Sequence, residues 1–159
     1  MNTRALKKHL KYTIPQIRLA IVREPASRPL PAICTPDDVE HYLAPMKLLS
    51  EEHFVSLHLN AKNQVLGYHV VSHGTVSASL VHPREVFKAA ILNNASSIIV
   101  AHNHPGGSTD PSPDDIRTTR QIVDAGRLLD VRVIDHVIVT YKEIVSIRES
   151  HPNLFSEDC

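Results

Sequence analysis

The pattern of hydrophobic and polar residues predicts several short strands along the chain. Residues 54–59 and 65–71 have the composition of strands and are separated by a polar turn at 61–64, which predicts a β-hairpin over 54–71. Residues 97–101 form a short apolar run, which is typical of a strand buried on both faces. Further strands are predicted at 131–134, 137–141 and 144–147.

Three other segments carry signals of a helix start. Thr35 can cap a helix, Pro36 suits the first helical position, and the acids that follow favour the positive helix end. Helices are therefore predicted over 35–49, with a disturbance at Pro45, and over 83–92 and 112–129. Because helices and strands alternate, the predicted fold class is α/β, with a single mixed β-sheet and flanking helices.

The charge distribution divides the chain although its 17 basic and 17 acidic residues cancel. Residues 1–24 hold six Lys and Arg against one acid, which is +5, so the remainder carries −5. With the proline-rich stretch that follows, we predict a basic leader and linker over 1–34 and a domain over 35–159 with its core at 51–148. Residues 1–24 are either a solvated segment or a contact for nucleic acid.

Composition narrows the possible classes of protein. The longest apolar runs are far short of 18 residues, so we expect no membrane span. Because no apolar region follows the first lysines, we expect a cytoplasmic protein without a secretory signal. Two cysteines, Cys34 and Cys159, make neither a disulfide framework nor a cysteine zinc site. Trp is absent and aromatic residues are few, so the chain offers few rings on which the bases of a nucleic acid could stack. The unusual count is eleven histidines.

Two of these histidines follow the apolar run at 97–101. In extended backbone His102 and His104 point the same way and can turn both imidazoles toward one ion, for which Asp115 offers a third ligand. A pair of histidines can also arise by coincidence in so histidine-rich a chain. The Ser112-x-x-Asp115 pattern is in addition close to a capping box, and that structural role is compatible with metal binding.

The spacing of these residues resembles a known motif. His102-x-His104, seven residues, Ser112, two residues and Asp115 is similar to the JAMM motif of the JAB/MPN+ metalloproteases. The wider sequence resembles the RadC family over residues 51–147. The features that carry this narrower resemblance are His102-Asn103-His104-Pro105-Gly106-Gly107, Pro111-Ser112, Thr119, Asp135-His136, Gly74-Thr75 and His82-Pro83-Arg84-Glu85. The resemblance implies a cytidine-deaminase-like JAB/MPN architecture. The first 50 residues are too short and too proline-broken for the complete helix-hairpin-helix region of longer members, so we expect the short form.

The resemblance also implies roles for residues. His102, His104 and Asp115 would hold one Zn²⁺ per chain, and Ser112 would donate a hydrogen bond to the oxyanion of the substrate. A glutamate before the first core strand would be the general base, for which Glu52 is the candidate and Glu51 and Glu85 are alternatives. His136 either orients the site or is purely structural, and no mechanism is assigned to Arg84.

Three functions remain open at this stage. The first is hydrolysis of a peptide or isopeptide bond in a protein substrate by a zinc metallopeptidase. The second is an accessory role in DNA repair or recombination, suggested by the customary name of the RadC family, with a metal-binding but non-proteolytic domain and contact to nucleic acid through residues 1–24. The third is a scaffold that keeps the fold without activity, against which the intact motif counts.

Overall fold

A five-stranded sheet forms the centre of the part of the chain that the computed structural model describes, residues 32–74 and 81–156. In chain order its strands are β1 (Glu52–Leu59), β2 (Val65–Gly74), β3 (Ser97–Asn103), β4 (Arg132–Val139) and β5 (Ile144–Ser146). Across the sheet the order is β2-β1-β3-β4-β5, with β3 and β4 parallel and the other neighbours antiparallel. The predicted class, α/β with a single mixed sheet and flanking helices, is confirmed.

Four α-helices accompany the sheet in the described residues. They are α1 (Pro36–Leu43), α2 (Pro83–Leu92), α3 (Pro113–Leu128) and α4 (Ile147–Ser150), with 3₁₀ helices at Ala44–Leu48 and Pro152–Leu154. The helix predicted over 35–49 changes to a 3₁₀ helix at Ala44, because Pro45 has no N–H to donate to the carbonyl four residues back. The bounds of α2 agree with the prediction.

Helices cover both faces of the sheet. On one face α1 contributes Val39 and Leu43 to a core that includes Val55 of β1 and Ile99 of β3. On the other face α2 and α3 pack against alternate residues of β1 and β3; their buried contacts include Val86, Phe87, Ile122, Phe54, Ile98 and Val100. Both faces of β3 are therefore covered, which explains why all seven of its residues are buried.

The fourth strand corrects the prediction. Residues 132–139 form one strand, where two strands at 131–134 and 137–141 were predicted. The polar pair Asp135-His136 suggested a break, but both side chains have partners inside the fold. Asp135 accepts hydrogen bonds from the His136 backbone N–H and the Ser146 hydroxyl, and His136 is fully buried. A bulge in the pairing with β3 lies beside them, between Val133 and Asp135.

The last predicted strand, at 144–147, is also shorter than expected. β5 ends at Ser146, whose hydroxyl accepts the backbone N–H of Glu149 and so caps α4. Ile147 therefore begins a helix, and its side chain is buried in a small core with Ile138 and Leu154.

The amino-terminal end of the described chain joins the fold just before the predicted domain boundary. Ala32 forms a bridge with Gln64, and Ile33 is buried in the core on the α1 face. The basic segment 1–24 lies outside the described residues. Within the described part of the chain, none of the helices is long and apolar enough to cross a membrane.

Candidate metal centre

The carboxyl end of β3 positions the two candidate histidine ligands. β3 continues two residues beyond the strand predicted at 97–101, because His102 and Asn103 still belong to it. His102 stacks on Phe54 of β1, with ring centroids 6.2 Å apart and planes within 6°. The backbone N–H of His104 donates to the Val139 carbonyl at 2.9 Å, which continues the pairing with β4. The Nε2 atoms of His102 and His104 lie 2.9 Å apart, so both rings point at one place.

The first turn of α3 brings Asp115 to the same place. Asp115 Oδ1 lies 3.2 Å from His102 Nε2, and Asp115 Oδ2 lies 3.7 Å from His104 Nε2. Ser112 caps the helix: its backbone N–H and hydroxyl donate to Asp115 Oδ2 at 2.7 and 2.6 Å, and its hydroxyl accepts the Asp115 N–H. The capping box is present and leaves Oδ1 facing the histidines. The two interpretations of Ser112 and Asp115 are thus compatible.

The charges of this His-His-Asp cluster (His102, His104, Asp115) reinforce each other. Burial opposes ionisation of Asp115, but the two imidazoles beside it, with Ser112, outweigh that effect and hold its pKa well below the usual range. The Asp115 carboxylate in turn raises the pKa of His104 against the effect of burial, with help from the Ser108 carbonyl and the negative charge of Glu52. The cluster thus combines an ionised carboxylate with two imidazoles.

The donor set fits a metal ion. One ligand atom from each of the three residues lies within 4.8 Å of the others. His104 Nδ1 donates to the Ser108 carbonyl at 2.7 Å, so a neutral His104 carries its lone pair on Nε2, toward His102 and Asp115. Lone pairs that converge in this way are the arrangement that a metal cation binds. Two imidazole nitrogens and a carboxylate oxygen are the ligands of catalytic zinc sites, which keep a fourth position for water or substrate.

Glu52, the candidate base, begins β1 beside this cluster. Phe54 pairs with His102 in the antiparallel register of β1 and β3, and Glu52 lies two residues before Phe54 on the same face of β1. Its negative charge contributes to the raised pKa of His104. Of the two alternatives, Glu51 is exposed before the strand, and Glu85 on α2 pairs with Arg84 and Lys88.

Asn103 has a structural role in the site that could not be predicted from the sequence. This buried side chain accepts the His53 backbone N–H at 2.7 Å and donates to the carbonyls of Glu51 at 3.0 Å and Leu49 at 3.5 Å. It therefore ties the end of β3 to the segment that carries Glu52. The available signal was a polar residue at the end of a mainly apolar strand, between the two candidate ligands.

A buried series of hydrogen bonds extends from His102 away from the cluster. His102 Nδ1 lies 2.8 Å from His136 Nε2, and His136 Nδ1 lies 2.6 Å from the Thr119 hydroxyl. The Thr119 hydroxyl also donates to the backbone carbonyl of Asp115 at 2.6 Å. Burial holds the pKa of His136 well below its ordinary value, so this ring is neutral. Of the two roles open for His136, the contact with a candidate ligand favours orientation.

A mixed sheet with helices on both faces, a His-x-His pair at the end of its central strand and an aspartate at the following helix start define a domain of the JAB class. The family model described as RadC-like JAB domain matches residues 33–152, and the chain belongs to this family. The resemblance stated from the sequence is confirmed.

Relatives of this chain carry the name UPF0758 protein. The chain is 42% identical over 116 residues to one from Geobacillus thermodenitrificans, an alignment covering 73% of this chain and 51% of the relative. It is 50% identical over 118 residues to one from Symbiobacterium thermophilum, covering 74% and 50%. With one from Desulfitobacterium hafniense the identity is 41% over 141 residues, covering 88% and 61%. The chain spans about half the length of most of these curated relatives.

Proposed function

We propose that this chain is a zinc-dependent hydrolase that cleaves a peptide or isopeptide bond. The observation that carries the proposal is the convergence of His102 Nε2, His104 Nε2 and the Asp115 carboxylate on one place. Glu52, whose negative charge acts on the His104 ring, adds a carboxylate that the cluster does not need as a ligand. A metal site with an adjacent free carboxylate is the minimal equipment for hydrolysis by an activated water.

His102, His104 and Asp115 would hold the zinc ion, one per chain. When bound, zinc supplies a Lewis acid that polarises a carbonyl and lowers the pKa of water to ~7. Glu52 accepts the proton of the attacking water and passes it to the leaving amine nitrogen. Ser112, whose hydroxyl donates to Asp115 in this structure, turns to the substrate carbonyl oxygen as negative charge develops there. Asn103 holds the backbone on both sides of Glu52 throughout.

The zinc content of protein purified without added metal tests the proposal. The variant is His102→Ala/His104→Ala, and the matched control is His53→Ala/His73→Ala, which removes a cross-strand pair of stacked rings 5.9 Å apart. We expect about one zinc in each wild-type and control chain and almost none in the variant, with the fold of all three checked by circular dichroism. Equal zinc in all three proteins, or none in any, would overturn the metal site.

Activity needs a separate experiment. Zinc-loaded protein is incubated with a peptide library and with ubiquitin-like isopeptide conjugates, and new amino termini or released lysine side chains are detected by mass spectrometry. Cleavage by the wild type and none by the His102→Ala/His104→Ala variant supports hydrolysis at this site. Equal cleavage by both proteins would assign the activity elsewhere or to a contaminant.

A second candidate function rests on the charge of +5 over residues 1–24. We propose for it an accessory role on DNA, with the basic segment making phosphate contacts. Such binding weakens steeply with salt, because each neutralised phosphate releases counterions. The test compares DNA binding by the whole chain with that of a chain lacking residues 1–24 over a range of salt concentrations. Salt-dependent binding lost with the segment supports this function, and no binding by the whole chain rejects it.

A further inference from the structure

A buried series of three hydrogen bonds passes through the hydroxyl of Thr119 and reaches the cluster. The chain runs from the Asp115 carbonyl to Thr119 Oγ1, from there to His136 Nδ1, and from His136 Nε2 to His102 Nδ1. Thr119 and His136 are almost completely buried, at 1% and 0% exposure. Water is therefore excluded from the donors and acceptors along this path.

The direction of each hydrogen bond follows from one proton. A carbonyl oxygen only accepts, so the single hydroxyl proton of Thr119 goes to Asp115. Thr119 Oγ1 must then accept from His136 Nδ1–H. The neutral His136 ring consequently has its lone pair on Nε2, which accepts from His102 Nδ1–H. A neutral His102 then has its own lone pair on Nε2, the atom that faces His104 and Asp115.

We propose that Thr119 is a positioning residue that sets the tautomer of His102 through His136. Thr119 lies one helical turn after Asp115 on α3, so one helix supplies one ligand of the cluster and directs the protonation of another. Hydrogen bonding at the second ring nitrogen of a metal-binding histidine is known to fix which nitrogen faces the metal. Here that control reaches back through a second histidine to a hydroxyl group.

Removing the Thr119 hydroxyl reverses the direction of the hydrogen bond between His136 and His102. In Thr119→Val, His136 Nδ1–H is buried without its acceptor, which is costly. Moving the proton to His136 Nε2 removes that cost and makes His136 the donor to His102 Nδ1. The proton of His102 is then displaced to Nε2, where it points at Asp115 and blocks the metal position. Thr119→Ser keeps a hydroxyl and preserves the original direction.

The experiment uses the whole chain and two readouts. The first is the ¹⁵N NMR spectrum of the histidine rings in metal-free protein at alkaline pH, which shows the protonated nitrogen of His102 and His136. The second is the zinc dissociation constant from competition with a chromophoric chelator. The proteins are wild type, Thr119→Val, Thr119→Ser and the control Thr140→Val. The control removes another buried hydroxyl, which donates to the Glu143 carbonyl in the β4–β5 turn.

We expect Nδ1–H on both rings in wild type, Thr119→Ser and Thr140→Val. In Thr119→Val we expect Nε2–H on both rings, with zinc binding ~10–100-fold weaker. The inference would be overturned by unchanged tautomers in a folded Thr119→Val variant, or by a proton on His102 Nε2 in the wild type. If Thr119→Val fails to fold, the wild-type spectrum still tests the inference. The affinity part rests on the proposed zinc site, whereas the metal-free spectra do not. Wild-type chain without zinc affinity therefore contradicts the proposed function and leaves the tautomer test intact.

Discussion

Phe54 of β1 pairs with His102 of β3, and Glu52 lies two residues before Phe54 at the start of β1. Its charge helps to raise the pKa of the His104 ring. The carboxylates of Asp115 and Glu52 have different surroundings. The Asp115 carboxylate accepts a hydrogen bond from the capping Ser112 and faces both imidazoles, whereas Glu52 is half-buried at the start of β1. In the proposed mechanism this difference separates the metal ligand, Asp115, from the general base, Glu52.

Replacing Glu52 by glutamine tests that separation. Gln keeps the shape of the side chain but cannot accept a proton, so we expect Glu52→Gln to bind zinc with nearly wild-type affinity and to hydrolyse substrate ~10²–10⁴-fold more slowly. The matched control is Glu51→Gln, because Glu51 contacts Asn103 through its backbone carbonyl and keeps that bond when substituted. Full activity in Glu52→Gln, or an equal loss in the control, would reassign the base.

The helices α1 and α3 start with similar sequences, which permits an internal comparison. Asp38 and Asp115 both accept from their cap residues Thr35 and Ser112 within a capping box, and both have a lowered pKa. We expect Asp38→Asn and Asp115→Asn to lose stability in the metal-free state, as measured by urea unfolding. Only Asp115→Asn should lose zinc affinity, by more than about 100-fold, because it removes a charged ligand. Similar zinc affinity in the two variants would reduce Asp115 to a helix cap.

The local pattern was enough to predict most of the fold and the composition of the cluster. The apolar run before His102 predicts a buried strand, and a strand turns alternate side chains the same way, so His102 and His104 can act together. The Ser112 and Asp115 spacing predicts a helix start at a known place. These are interactions between near neighbours in sequence, and the resemblance to a known motif supplied what the spacing alone left open.

What could not be predicted depends on residues far apart in sequence. Thr119 and His136 are 17 positions apart and meet only because α3 packs on β4. The same contact explains why β4 continues through polar residues that suggested a break, since His136 is satisfied from both sides. The pairing of Phe54 with His102, which brings the strand that begins at Glu52 beside the cluster, depends on the β1–β3 register, which sequence spacing does not show.

His58 makes the stability of the fold depend on pH. This buried ring on β1 is hydrogen-bonded to Ser56 and Asn93, and burial, aided by nearby His69, lowers its pKa to about 4. Because the unfolded chain binds this proton near pH 6.5 and the folded chain does not, the contribution to stability is present above pH 6.5. It is lost as pH falls from 6.5 toward 4.

We therefore expect the unfolding free energy of wild type to fall on acidification over this interval, with about 3 kcal/mol of the fall assigned to His58. His58→Gln should show a shallower pH dependence, measured by urea unfolding of the metal-free protein at several pH values. Its stability at pH 7.5 gives the cost of the substitution itself. An NMR midpoint for His58 near that of a free histidine, or an unchanged slope in the variant, would contradict this prediction.

Gly126 determines how closely α3 packs on the sheet. A Cβ at this position would lie 2.6 Å from the Val131 carbonyl oxygen and 3.0–3.1 Å from side-chain atoms of Val133 and Phe87. Alanine inside a helix ordinarily adds up to ~1 kcal/mol of stability over glycine. Here the backbone oxygen cannot move aside cheaply, and overpacking of this kind costs ~1–3 kcal/mol, so Gly126→Ala should be destabilised in urea unfolding. The control is Gly106→Ala, whose Cβ would meet no atom within 4 Å. A Gly126→Ala chain as stable as wild type would show that α3 can shift outward. Because α3 carries Asp115 and Thr119, the zinc affinity of that variant would then measure how much of the shift reaches the cluster.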